Sequence, residues 1–207
     1  MHWLDNLRVR AKLLTCFAVV LVLTATLGGF AVWQVSHVNA RTAEVADKWL
    51  PSVQYASEMW ASASQMRSAQ YRHITSITEQ GKADADQKIS TQLARVEQAH
   101  DAYEALALTA AERTRVQRFD GQWKHYVEHW KTVRELSRAG QTDAAIAAIK
   151  GESYRRYEDA SATLVAMVKH STEMSDAARR DAAATSARAR TWICLLYTSD
   201  AADDLLC

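Results

Sequence analysis

The sequence predicts an all-α protein, with an N-terminal transmembrane helix followed by an antiparallel up-down four-helix bundle. Three observations predict it. The 207 residues hold one proline and six glycines, so little interrupts helical backbone. An uncharged apolar run, Leu13 to Trp33, lies near the start. Beyond it, apolar residues return every three or four positions, and no stretch alternates apolar and polar with period two. Net charge is +1, with no basic stripe interleaved with aromatics, which argues against a nucleic-acid partner. Of the three cysteines, Cys16 lies in the apolar run and Cys194 and Cys207 near the end. The thiol-free middle suits an extracytoplasmic domain stabilised by packing.

The anchor comes first. Leu13 to Trp33 matches the roughly 20 apolar residues that a membrane-spanning helix needs. Arg8, Arg10 and Lys12 precede it, which assigns residues 1–12 to the cytoplasm by the positive-inside rule. A cleaved signal peptide is the competing reading, but its apolar core is usually only about 7–15 residues. Residues 13–33 are therefore read as an uncleaved span and 34–190 as a four-helix bundle outside it.

The first bundle helix is expected to continue from the membrane to about Gln80, carrying Val45, Trp49, Ala56, Met59, Ala63 and Met66 on one stripe. Pro51 should bend it, since proline removes a backbone donor and clashes with the preceding turn, and Gly81 is read as its stop. The second helix presents Ile89, Leu93, Val96, Tyr103 and Leu106 and should stop near Leu108. Thr109-Ala-Ala-Glu112 is a capping box for the third. Val116, Phe119, Trp123, Tyr126, Trp130 and Val133 then alternate steps of three and four, the seam of a left-handed bundle. Gly140 should break this helix, with a short helix from Thr142-Asp143 through Ile149. The fourth bundle helix follows Gly151, displays Tyr157, Ala160, Leu164, Met167, Met174 and Ala178, and is expected to reach about Arg190.

Short connections make neighbouring helices antiparallel, and four crossings return the chain to the membrane it left. Residues 191–193, Thr-Trp-Ile, are accordingly read as the start of a second span. Residues 194–207 break the pattern. Their CLLYTSDAAD reads residue for residue as a translation of the transposon-end adaptor used in sequencing libraries, and SDAADD is too acidic for membrane depth. That stretch is expected to be non-native.

The opening WLDNLRVRAKLLTCFAVVLVLTATLGGFAVWQVSHVN, the following KWLPSV and the later QTDAAIAAIKGE resemble bacterial methyl-accepting chemotaxis proteins with a four-helix-bundle sensor. The resemblance covers residues up to about 193 and rests on the order of parts. It implies a non-enzymatic receptor, a homodimer in a bacterial inner membrane with the bundle in the periplasm, crossing once or twice. It implies a small carboxylate or amino-acid ligand and, in a full-length protein, a chemotaxis histidine kinase and its coupling protein as partners. The same bundle feeding a histidine kinase or a nucleotide cyclase, or a membrane-tethered scaffold without ligand, are the alternatives.

In amino-acid-sensing members, arginines spaced five and then four apart on the first bundle helix grip a carboxylate across the dimer interface. By that resemblance Arg67 and Arg72, flanking Tyr71, are the candidate ligand residues, although Ser76 holds the third position. A guanidinium suits the task because its fork donates two parallel bonds to a carboxylate. Tyr154 and Arg155, at the start of the fourth helix, are candidates to close the pocket, while Tyr157 is read as core. Both Arg67 and Arg72 are expected off the bundle seam, so that their loss should leave the melting temperature unchanged. No cofactor is expected. Two metal-like patterns are set aside. His125-Tyr-Val-Glu128-His129 has zinc-protease spacing, but His125 and Glu128 fall away from the seam with His129 at its edge, and Glu97-Gln-Ala-His100 lacks the second Glu-x-x-His of a di-iron bundle.

Overall fold

The computed structural model describes residues 9–106 and 108–203. Six α-helices follow in order: α1 (Val9–Glu44), α2 (Leu50–Thr75), α3 (Glu79–Glu104), α4 (Ala110–Arg138), α5 (Thr142–Lys150) and α6 (Glu152–Asp203). No strand occurs among the described residues. The chain divides into two units, Met1–Glu44 with Ala177–Cys207, and Val45–Asp176.

In the first unit, α1 carries the apolar run. Leu13, Leu14, Phe17, Leu21, Val22, Leu23 and Trp33 are all exposed. The helical run Arg10–Thr75 contains the one stretch among the described residues that is long and apolar enough to cross a membrane. Its hydroxyls are satisfied within the helix: Thr15 donates to the Ala11 carbonyl at 2.8 Å and Thr24 to that of Val20 at 2.8 Å. A bilayer core makes the same demand, since no water reaches a polar group there. Farther along, Asp181 pairs with Arg41 at 3.1 Å. The backbone of α6 stays helical past the expected boundary at Arg190, as far as Asp203. The side chains of 192–203, and residues 204–207 altogether, lie outside the described residues, and with them the expected second span and most of the questioned tail.

The second unit is the bundle. It opens with a π-helical turn, Val45–Trp49, directly before Pro51 in the first turn of α2. Proline cannot donate to the carbonyl four residues back and its ring crowds that carbonyl, so a wider turn just upstream relieves both conflicts. The interruption expected at Pro51 is thus a π turn. Helix α2 ends at Thr75, earlier than the expected Gln80, and Gly81 is not its stop. Thr78 caps α3 instead, accepting from the Gly81 amide at 3.1 Å, so Gly81 lies inside the first turn of α3. A Cβ there would sit 2.9 Å from Ser76 Oγ. The glycine therefore serves a close approach. Helix α3 also stops sooner than expected, at Glu104, and Leu108 lies in the following connection, buried at 6% exposure.

The capping box forms as read: the Thr109 amide donates to Glu112 Oε2 at 2.6 Å, and the Glu112 amide to Thr109 Oγ1 at 3.3 Å. At the other end of α4, Gly140 takes φ +73°, the left-handed conformation that lets the Gln141 amide reach back to the Leu136 carbonyl at 3.0 Å.

Cross-helix contacts fix the directions. Lys48, in the π turn that leads into α2, and Gln70 and His73 of α2 meet Glu112, Tyr126 and Ser137 of α4 in the same order, so α2 and α4 run parallel. Going up α2, Trp60 and Arg67 meet Ser161 and then Tyr157 of α6, which runs the other way. Asp86 and His100 of α3 face Arg134 and Asp120 of α4, again antiparallel. The result is up, down, up, down. All six residues of the α4 stripe are buried, as are Ala56, Met59, Ala63 and Met66 of α2. On α6 the seam passes through Ala160, Leu164 and Met167 and then takes Ser171 and Ser175, leaving Met174 at 37% exposure rather than in the core as expected. Phe119, Trp123, Tyr126 and Tyr157 form a chain of ring contacts at 5.4–5.9 Å through the bundle interior.

Candidate ligand site

The expected ligand residues do not all converge. Arg67 and Tyr71 are four apart on α2 and therefore lie on one face, whereas a spacing of five turns Arg72 about 140° away from Arg67. Arg72 is exposed, and so is Arg155 on α6. Arg67, Tyr71 and Tyr154 come together, and the structure adds Tyr157 and Tyr126, the latter from α4.

Arg67 sits among these rings. Its guanidinium carbon lies 5.3 Å from the ring centroid of Tyr71, 5.1 Å from that of Tyr154 and 5.0 Å from that of Tyr157. Each is a cation–π distance, and partial burial strengthens the attraction because water no longer competes for the charge. Nη2 donates to Tyr71 Oη at 3.2 Å and, at a long 3.4 Å, to the carbonyl of Ile149 at the end of α5. Nη1 is buried and makes no hydrogen bond among the described residues. Arg67, expected off the bundle seam and without effect on the melting temperature, is half-buried and packed against three tyrosines. One of them is Tyr154, at the start of α6, the residue expected to close the pocket.

Behind the cage, Tyr126 is fully buried and donates to Gln70 Oε1 at 2.6 Å. Burial pushes the Tyr126 phenol well above its ordinary value, and the nearby Arg67 charge only partly opposes this, so the ring remains a neutral donor. The floor of the site is therefore neutral and the wall aromatic, with one fixed positive charge. Such an arrangement offers a charged donor and aromatic faces. It can hold an anion that accepts from Arg67, or face a group that packs on tyrosine.

Sequence reasoning missed Tyr126 and Gln70 as parts of this neighbourhood, because Tyr126 also belongs to the seam of α4 and Gln70 is an isolated polar residue between apolar ones. Of the two metal-like patterns, the one at His125 and Glu128 lies on an exposed face. His125 and Glu128 have side-chain exposures of 65% and 51%, on the solvated face of α4.

Among curated proteins, no match to the chain is found. The family described as the four helix bundle sensory module for signal transduction matches residues 6–186. That stretch takes in the apolar helix α1 and the whole up-down bundle with its caged arginine, and the chain belongs to this family of signal-transduction sensor modules.

Proposed function

We propose that this chain is the sensor region of a transmembrane chemoreceptor, which binds a small carboxylate or amino acid outside a bacterial inner membrane and passes the signal inward. In this reading α1 anchors the protein, the bundle lies in the periplasm, and two copies form a homodimer. The full-length protein then acts on the chemotaxis histidine kinase through its coupling protein. Ligand binding favours one of two arrangements of α6 against α2, and the cytoplasmic part reads the shift in population.

The observation that supports it most is Arg67. A buried guanidinium nitrogen without an acceptor is unfavourable, and a carboxylate oxygen would satisfy it with a charge-assisted bond. Tyr71 and Tyr154 would flank the bound acid. Arg72 and Arg155, both exposed, enter this reading only through the second copy of the dimer.

The test uses the full chain in detergent against a panel of organic acids and amino acids. A ligand that binds only the folded state raises the melting temperature saturably. Arg67→Ala should weaken binding of the acid so found by roughly ten- to a hundredfold. Contrary to the sequence expectation, it should also destabilise the bundle, by about 1–2 kcal/mol, since cation–π contacts and stem packing are lost together. Arg67→Lys keeps the charge and most of the packing but loses the fork, which separates binding from folding. Equal affinity in wild type and Arg67→Lys would move the site elsewhere.

A further inference from the structure

A cleft of about 190 Å³ opens along α3 and α4, with His100, Phe119, Asp120 and Trp123 among the residues that line it. At its edge three metal-ligating side chains converge. His100 and Glu104 are four apart on α3 and share a face, and Asp120 reaches them from the antiparallel α4. One ligand atom from each lies within 4.8 Å of the other two. We propose that His100, Glu104 and Asp120 bind a divalent transition-metal ion of the zinc or cobalt type, clamping α3 to α4.

The chemistry of the donors favours that class. Imidazole with two carboxylates suits zinc, cobalt or nickel, whereas calcium and magnesium prefer all-oxygen shells. His100 Nε2 is already 2.8 Å from Asp120 Oδ1, close to the roughly 3.3 Å that two ligands of a tetrahedral ion keep at metal bonds of about 2.0 Å. Glu104 is exposed and free to swing inward, so closing the third contact needs only a rotamer change.

A further carboxylate adds negative potential beside the three: Asp101 Oδ1 lies 3.6 Å from His100 Nδ1, too far for a hydrogen bond. The Phe119 ring, 6.3 Å away by centroid, restricts the imidazole from one side. Glu104 and Asp120, with ligand atoms within 4.8 Å of each other, repel as carboxylates, and a dication between them removes the repulsion.

The sequence reading paired His100 with Glu97 and discarded it for want of a second motif. The ligands instead come from one turn later and from another helix. This site is separate from the Arg67 cage and does not depend on what the cage binds.

The test is a titration of the full, untagged chain in detergent with Co²⁺ alone, followed by its visible absorption. Wild type should bind one equivalent and develop the intense bands of four-coordinate cobalt. His100→Gln, Asp120→Asn and Glu104→Gln should each weaken binding at least about tenfold. Glu104 is exposed, so its variant keeps the test valid even if His100→Gln disturbs folding. His125→Gln, on the solvated face of α4, should bind as wild type does. Absence of the bands at millimolar Co²⁺ would overturn the proposal. So would unchanged affinity in Glu104→Gln, or loss of binding in His125→Gln.

Discussion

The two ends of the bundle each bury a polar cluster, and they solve the problem of buried charge in opposite ways. Where α2 and α4 begin, Glu112 is 2% exposed yet ionised, with Lys48 Nζ at 3.1 Å, the Thr109 amide at 2.6 Å and His170 Nε2 at 3.7 Å. Burial alone would raise its proton affinity, but the bonds from Thr109 and Lys48 win and hold it below the ordinary carboxylate value. Where α2 and α4 end, the fully buried group is His73, hydrogen-bonded to Ser137 at 3.0 Å and packed edge-on against Trp130. Burial lowers its proton affinity. The Asp86 carboxylate at 3.6 Å would raise it, but Arg134, Arg138 and Lys82 add to the lowering. One end therefore keeps a charge inside by pairing it fully, and the other keeps a titratable group inside by leaving it neutral. The first should resist acid until carboxylates protonate, and the second should begin to give way near the ordinary titration of histidine.

The most damaging way to break this comparison is to remove the charge at the first end. Glu112→Gln keeps the shape but leaves Lys48 without its partner and weakens the cap. Stripping one member from a buried pair is expected to cost about 3 kcal/mol, read as a lower urea midpoint with unchanged slope. At the second end, Asp86 is 15% exposed and accepts from Arg134 at 2.8 Å and Arg138 at 2.7 Å, both arginines reaching toward solvent. Asp86→Asn should cost about 1–1.5 kcal/mol, because water screens and replaces part of what is lost. If the two substitutions cost the same, the ends do not differ in the way described.

The pH dependence sharpens the contrast further. His73 has a lowered value in the folded state, so the unfolded chain binds its proton first, and the stability it confers is present above about 6.5 and lost as pH falls below that. Glu112 is also lowered, but from a carboxylate value, so its contribution is present above about 4.3 and lost only as pH falls through the lower folded value. Urea midpoints measured from pH 8 to 3 should therefore decline in two windows. His73→Gln should flatten the upper one and leave the lower one intact; Glu112→Gln should leave the upper one intact and shrink the lower one, to which Asp86, held low by Arg134 and Arg138, still contributes. A wild-type profile flat between pH 7 and 5 would contradict the account of His73.

How much of this was legible follows from whether a signal is local. The stripe of α4 was read correctly because six large apolar residues at steps of three and four admit few other arrangements. The capping box was read because its two bonds span four consecutive residues. That Glu112 also meets Lys48, 64 positions earlier in the chain, had no local sign. The same holds for His73, Gln70 and Gln92, whose burial is decided by other helices. Gly81 misled because a glycine after a long helix commonly ends it, and here a threonine three residues earlier had already started the next. Met174 misled because it fits the spacing from Met167, but the seam shifts by one position to the smaller Ser171 and Ser175. At the Arg67 cage Tyr71 and Tyr154 were already candidates, whereas Tyr157, read as core, and Tyr126 of α4 required the fold. The metal-ligating cluster was half visible: His100 was noticed, and its cross-helix partner Asp120 was not.

The smallest expected effect comes from the middle of the bundle, where neither kind of burial applies. Trp60 is 45% exposed, and its indole Nε1 donates to Ser161 Oγ at 2.9 Å, linking α2 to α6 at the surface. Trp60→Phe removes that donor and some apolar contact but leaves no buried group unsatisfied, since water can reach the serine. The expected cost is about 0.5 kcal/mol or less, independent of pH between 8 and 3, as neither partner titrates there. Urea midpoints for this variant across the same pH series check it. The value of the measurement lies in its parallel course. If the Trp60→Phe profile keeps both windows of the wild type at slightly lower stability, the windows belong to the two ends. If either window changes, the end clusters are coupled through the α2–α6 contact, and the separation between them fails.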